Sequence, residues 1–113
     1  DIQVKTFVPG NWTCSVGLKA KKDFGGTFFW VLGGIPPVGT ERAFEYYIIR
    51  SREMARNVRT AHEQWLVTPG KNDQVHQDSK VHRAHLPPYK SVSGWDIMPY
   101  QDRWDLIDAL IAP

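Results

Sequence analysis

Phe44-Glu45-Tyr46-Tyr47-Ile48-Ile49-Arg50-Ser51-Arg52-Glu53-Met54-Ala55-Arg56-Asn57-Val58 changes rhythm at its middle. Before Ser51 the run is aromatic and β-branched, which suits a pleated, half-buried strand. After Ser51 the apolar residues Met54, Val58, Ala61 and Trp65 recur at helical spacing, so residues 52–66 should form an amphipathic helix. Ser51 is a suitable N-cap, and Thr68-Pro69-Gly70 stops the helix. A strand that feeds directly into a helix makes this an α+β chain.

Upstream, three more strands are expected. Ile2, Val4 and Thr6 alternate with Gln3, Lys5 and Phe7 at a period of two, predicting a strand over residues 1–8 that Pro9-Gly10-Asn11 turns. Trp12, Cys14, Val16 and Leu18 alternate more weakly over residues 12–20. Thr27-Phe28-Phe29-Trp30-Val31-Leu32 is almost continuously apolar, as in a strand buried on both faces, and the reading places that strand at 27–34. With 43–50 these make a mainly antiparallel or mixed sheet of about four strands, followed by two helices.

Downstream, residues 71–99 show no periodicity. A structureless segment of that length is uncommon in a compact domain, so it should be a functional loop or one pinned by Tyr89 and Trp95. Asp102 can cap a last helix over 102–111, with Trp104, Ile107, Leu110 and Ile111 on one side. Phe29, Trp30, Ile48, Met54, Val58, Trp65, Trp104 and Ile107 are the expected core.

Composition sets outer limits. The chain has 113 residues, 42% hydrophobic and 23% charged, which fits one globular domain rather than a disordered segment. A lone cysteine, Cys14, cannot form an internal disulfide, and small secreted domains usually carry pairs, so a cytoplasmic location is expected. No apolar run approaches the roughly 20 residues that span a bilayer. A net charge of +2 permits contact with nucleic acid without pointing to it.

Several motifs can be weighed on chemistry alone. His62, His76, His82 and His85 invite a metal reading, and His82 and His85 have a spacing that brings two ligands together in a turn. Zinc sites usually add Cys or carboxylates at tight spacing, and Cys14 is far away in sequence. His62, beside Trp65 on the apolar helix face, reads as a hydrogen-bonded core histidine. Gly25-Gly26 and Gly33-Gly34 precede neither Lys-Ser nor Lys-Thr nor a helix start, so neither is a phosphate loop. No Ser or Cys stands in a nucleophile elbow. Arg52, Arg56 and Arg59 share a helix face with Glu63, as a solvated face or as a stripe facing phosphates. Gln3 and Lys5 project from one side of the first strand. An amide and an ammonium on a buried face each need partners, whereas an edge strand with a polar face would bear them at little cost.

Gln3-Val4-Lys5-Thr6, then an aromatic strand, then Tyr46-Tyr47-Ile48-Ile49-Arg50-Ser51 leading into a helix resembles the PD-(D/E)xK nuclease superfamily. More narrowly, it resembles small restriction-endonuclease-like proteins of bacteria and phages. The resemblance continues through His62-Glu63-Gln64-Trp65-Leu66 and Thr68-Pro69-Gly70-Lys71 to Tyr100-Gln101-Asp102-Arg103-Trp104-Asp105-Leu106. It implies a restriction-endonuclease-like fold and Mg²⁺-dependent hydrolysis of DNA phosphodiesters. By resemblance, Gln3 is the second metal ligand through its side-chain carbonyl, the Val4 carbonyl also faces the metal, and Lys5 is the catalytic lysine. Lys19, Lys21, Lys22, Arg52, Arg56 and Arg59 are the candidate phosphate contacts.

One part of the family's pattern is missing. Its first metal-binding Asp stands on the strand before the one carrying Gln-x-Lys, and Asp1 is not at that position. The expectation is therefore the C-terminal portion of a longer restriction-endonuclease-like domain, inactive alone, whose uncovered strand edge pairs into a homodimer or higher oligomer. The alternative is a non-catalytic module that binds nucleic acid or serves assembly.

Overall fold

A computed structural model describes residues 1–67 and 82–111. In chain order they form β1 (Ile2–Phe7), β2 (Thr13–Ser15), a 3-10 turn (Leu18–Lys21), β3 (Phe29–Gly34), β4 (Glu45–Arg50), α1 (Ser51–Val67), β5 (Arg83–His85), a second 3-10 turn (Met98–Tyr100) and α2 (Asp105–Ile111). The α+β class and the strand-to-helix change at Ser51 are as expected, and no described residue of 27–50 is helical.

The sheet differs from the four-strand expectation. It has three strands in the order β1-β3-β4, with β1 parallel to β3 and β4 antiparallel to it. The strand expected over 12–20 is three residues long and leaves this sheet to pair antiparallel with β5, Cys14 opposite Ala84. Gly17 stops it: at φ +77° its backbone lies where residues with a side chain rarely go, and the chain turns into the 3-10 helix. The expected loop over 71–99 therefore contains a strand, while residues 68–81, with His76, lie outside the described part.

Burial follows the pleat. One face of the sheet carries Phe7, Trp30, Leu32, Tyr47 and Ile49, joined by Met54 and Val58 of α1, Cys14 and Val16 around β2, Ala84 of β5, and Leu86 and Ile97. The opposite face carries Phe29, Val31 and Ile48, with Tyr46, Leu106 and Ile107 packed on them. β3 is buried at all six positions, as its unbroken apolar run predicts for a central strand. Gly34 completes it because a Cβ there would lie 2.7 Å from the Phe7 ring. The Phe7 side chain uses that space.

Three local expectations are corrected. Ser51 does not cap its own helix: its hydroxyl accepts from the Phe24 amide at 2.8 Å and donates to the Lys22 carbonyl at 3.2 Å, tying α1 to the segment after the 3-10 turn. Asp102 is not a cap either; it stands at φ +54° with its amide on the Tyr46 carbonyl, and α2 begins three residues later. Trp104, expected in the core, is 40% exposed and meets Tyr46 at a tilt of 59°, and Trp65 and Ile107 are half-buried rather than enclosed. Phe29, Trp30, Ile48, Met54 and Val58 are buried as expected.

Candidate functional site at the edge of β1

The parallel register fixes which groups β1 offers. The Phe29 amide donates to the Asp1 carbonyl and the Ile35 amide to the Phe7 carbonyl, each at 2.9 Å. Backbone groups alternate sides along a strand, so the odd-numbered residues of β1 bond to β3. The N–H and C=O of Ile2, Val4 and Thr6 then point to the outer edge, where no described strand pairs. The Cys14 thiol approaches the Thr6 carbonyl at 3.9 Å, so the open stretch is Ile2 to Val4.

Side chains alternate in the other sense. Ile2 and Val4 are 52% and 56% exposed on the α2 side of the sheet. Gln3 and Lys5 turn inward, half-buried beside Trp30 and Leu32. An apolar pair faces solvent while an amide and an ammonium face the core side, the reverse of what burial alone selects. The expectation that Gln3 and Lys5 share a face is met, and among the described strands β1 stands at the edge.

Lys19 Nζ donates to Gln3 Oε1 at 3.3 Å and lies over the Phe24 and Phe28 rings, 5.4 and 5.7 Å from their centroids. These contacts hold the Lys19 cation beside the Gln3 amide. Lys5 lies near the buried Cys14 thiol. Burial pushes that thiol up from its ordinary 9.0 to about 11, and the Lys5 charge acts in the opposite direction. Burial therefore favours the protonated, less reactive thiol.

The other expected phosphate contacts are spread out. Lys22 stacks over Phe24, and Arg52 Nε lies 3.9 Å from Asp23. Arg52, Arg56 and Arg59 are exposed on α1, and Arg52 and Arg56 line a shallow cleft with Gly25, Gly26, Arg50 and Glu53. Lys21 does not face outward with them; its Nζ is 3.3 Å from His62 Nδ1. Glu53 accepts a hydrogen bond from the Tyr100 hydroxyl, which fastens α1 to the second 3-10 turn.

The histidines gather elsewhere. His62 stacks on Trp65 and meets His82 edge-on with centroids 4.6 Å apart, and both join His85 around a cavity of about 500 Å³ between α1 and the β2–β5 ribbon. Burial pulls the His85 imidazole below its ordinary pKa and favours its neutral form. Among the described residues no group of three or more His, Cys, Asp or Glu side chains can hold a metal ion.

The Mg²⁺ that the resemblance implies does not fit the described residues by themselves. The available oxygens are Gln3 Oε1, already engaged by Lys19, and the outward Val4 carbonyl. The nearest acid in sequence, Asp1, stands exposed at the start of the strand, and no group of three or more His, Cys, Asp or Glu side chains forms among the described residues, whereas Mg²⁺ is usually held by one or two carboxylates. The chain matches no family model, no curated protein and no solved structure.

Proposed function

We propose that this chain forms part of a PD-(D/E)xK-type domain that hydrolyses DNA phosphodiesters. It contributes Gln3, the Val4 carbonyl and Lys5, while a carboxylate-bearing strand docks along the open edge of β1. The observation that carries this reading is the inverted pattern of β1. A strand whose only task was to close a sheet would turn Ile2 and Val4 inward and Gln3 and Lys5 outward. Holding a cation and an amide half-buried beside an unpaired edge costs stability, and a binding or catalytic role is the compensation such a cost calls for. In this reading Lys5 holds the scissile phosphate, Gln3 orients it, and the exposed Arg52 and Arg56 take flanking phosphates. Lys19 guards Gln3 until the site is completed.

Plasmid cleavage with Mg²⁺ or Mn²⁺, measured on this chain and on the product of its gene's full reading frame, tests the proposal. The chain by itself should not cleave, the full product should, and Lys5→Ala should abolish that cleavage. Cleavage that survives Lys5→Ala would sink the assignment.

A second reading is a non-catalytic nucleic-acid-binding module. The Lys19–Gln3 contact favours it, because an ammonium on Gln3 Oε1 satisfies the amide with no metal. Under this reading the full product binds DNA with or without divalent ions and leaves it intact.

A further inference from the structure

Trp12 and Tyr89 play no part in the site at β1, yet they form the most exposed aromatic pair in contact on the described surface. Trp12 is 67% exposed and Tyr89 40%, and their ring centroids are 5.2 Å apart at an interplanar angle of 35°. Both are held by the same buried residue. The Leu86 amide donates to the Trp12 carbonyl, and the Tyr89 amide donates to the Leu86 carbonyl, each at 2.8 Å, while Leu86 itself is 3% exposed. The rings therefore stand on backbone that is already ordered, and little freedom is left to lose when a flat ligand settles on them.

The two chain segments that carry the pair are basic. Residues 2–22 contain Lys5, Lys19, Lys21 and Lys22 and no Asp or Glu, and residues 82–95 contain Arg83 and Lys90 and no Asp or Glu. Lys90 follows Tyr89 directly and is exposed. Arg42 donates to the Pro9 carbonyl at 3.1 Å and lies across Gly10, two residues before Trp12. A pair of exposed rings with Arg42 across Gly10 near one and Lys90 adjoining the other, and no carboxylate in its own segments, suits a nucleobase flanked by its phosphates. Every base has a π-face, so such a platform takes unpaired bases whatever their sequence, whereas in a duplex those faces are stacked away.

We propose that the Trp12–Tyr89 pair is a stacking platform for an unpaired DNA base, with Arg42 and Lys90 on the adjoining phosphates. This deepens the DNA reading above and rests on it. It assigns the β2–β5 ribbon to strand-separated or frayed DNA, in addition to the phosphate contacts expected along α1.

The test is fluorescence anisotropy of a labelled short oligothymidylate, and of a blunt duplex, titrated with the intact chain at low salt without divalent ions. The single strand should bind, and Trp12→Ala and Tyr89→Ala should each weaken it roughly 10-fold. Trp12→Phe, which keeps a ring, should stay near wild type, and duplex binding should ignore all three changes. Thermal melts unchanged from wild type are expected for a residue as exposed as Trp12. Single-strand binding indifferent to both alanine changes overturns the platform and leaves the DNA reading standing. Failure of the wild-type chain to bind either DNA overturns both. A proline-rich peptide that binds through Trp12 where the oligonucleotide does not would reassign the surface and overturn the proposal.

Discussion

The two faces of the three-stranded sheet are built to different standards. On the α1 side, Trp30, Leu32 and Ile49 are sealed by a seventeen-residue helix, a 3-10 turn and the β2–β5 ribbon. On the α2 side, Phe29, Val31 and Ile48 are covered by seven residues of helix, and β1 contributes Ile2 and Val4 to solvent. The same strands make both faces, so the difference lies in what packs on them. The closed face holds the fold together, whereas the other face, with the outer edge of β1 beside it, is only partly covered by the described residues.

The sharpest way to break this contrast is to remove a ring from the closed face. Trp30→Ala should cost about 3–5 kcal/mol in chemical denaturation, since Trp30 is fully buried and its neighbours belong to rigid elements. A loss under about 1 kcal/mol would mean that this face is not the core.

Cys14, on the same side, gives the next effect. Its thiol ionises near 9.0 when unfolded and at about 11 when folded, so the folded state holds its proton more tightly. That stability is fully present below pH 9 and is lost as pH rises through 11. Two units correspond to at most about 2.7 kcal/mol, less after solvent screening. Cys14→Ala should flatten the stability profile between those pH values, and a wild-type profile already flat there would contradict the burial.

The open face should respond weakly. Trp104→Ala should cost about 1–2 kcal/mol, the transfer value of a ring that is partly wet already. A cost matching that of Trp30 would show the outer face to be as well packed as the inner one. Smallest in stability, within about 0.5 kcal/mol, is Val4→Lys at the edge. Its readout is association: if β1 pairs with a second copy, sedimentation of the wild type should shift with concentration and that of Val4→Lys should not.

Some of this could be read from residues and some could not. β3, β4 and α1 were legible because long apolar runs and a clean change of period encode them locally. That Gln3 and Lys5 share a face followed from the period of two alone; that this face is the inner one did not. β2 was legible only as a strand, too long and with no hint of its partner, and β5 was not legible at all, because each is three residues long and their pairing joins Cys14 to Ala84 across most of the chain. The parallel match of β1 to β3 left no local mark either. Trp104 misled because its helical spacing is right while α2 is too short to enclose it. In the candidate site, Lys19 read as a phosphate contact, and only the turn after Gly17 brings it onto Gln3. The absence of acids from residues 2–22 was the available signal for a cationic surface beside Trp12.

The parallel pairing of β1 also gives this strand a rhythm in time. Amides of Gln3, Lys5 and Phe7 are held by β3 and should exchange with solvent deuterium only when the sheet opens. Those of Ile2 and Val4 face the open edge and should exchange almost at the rate of a free peptide. Adjacent residues of one strand would then differ by orders of magnitude in protection. Any segment that docks along β1 announces itself by erasing that alternation, whatever it is made of.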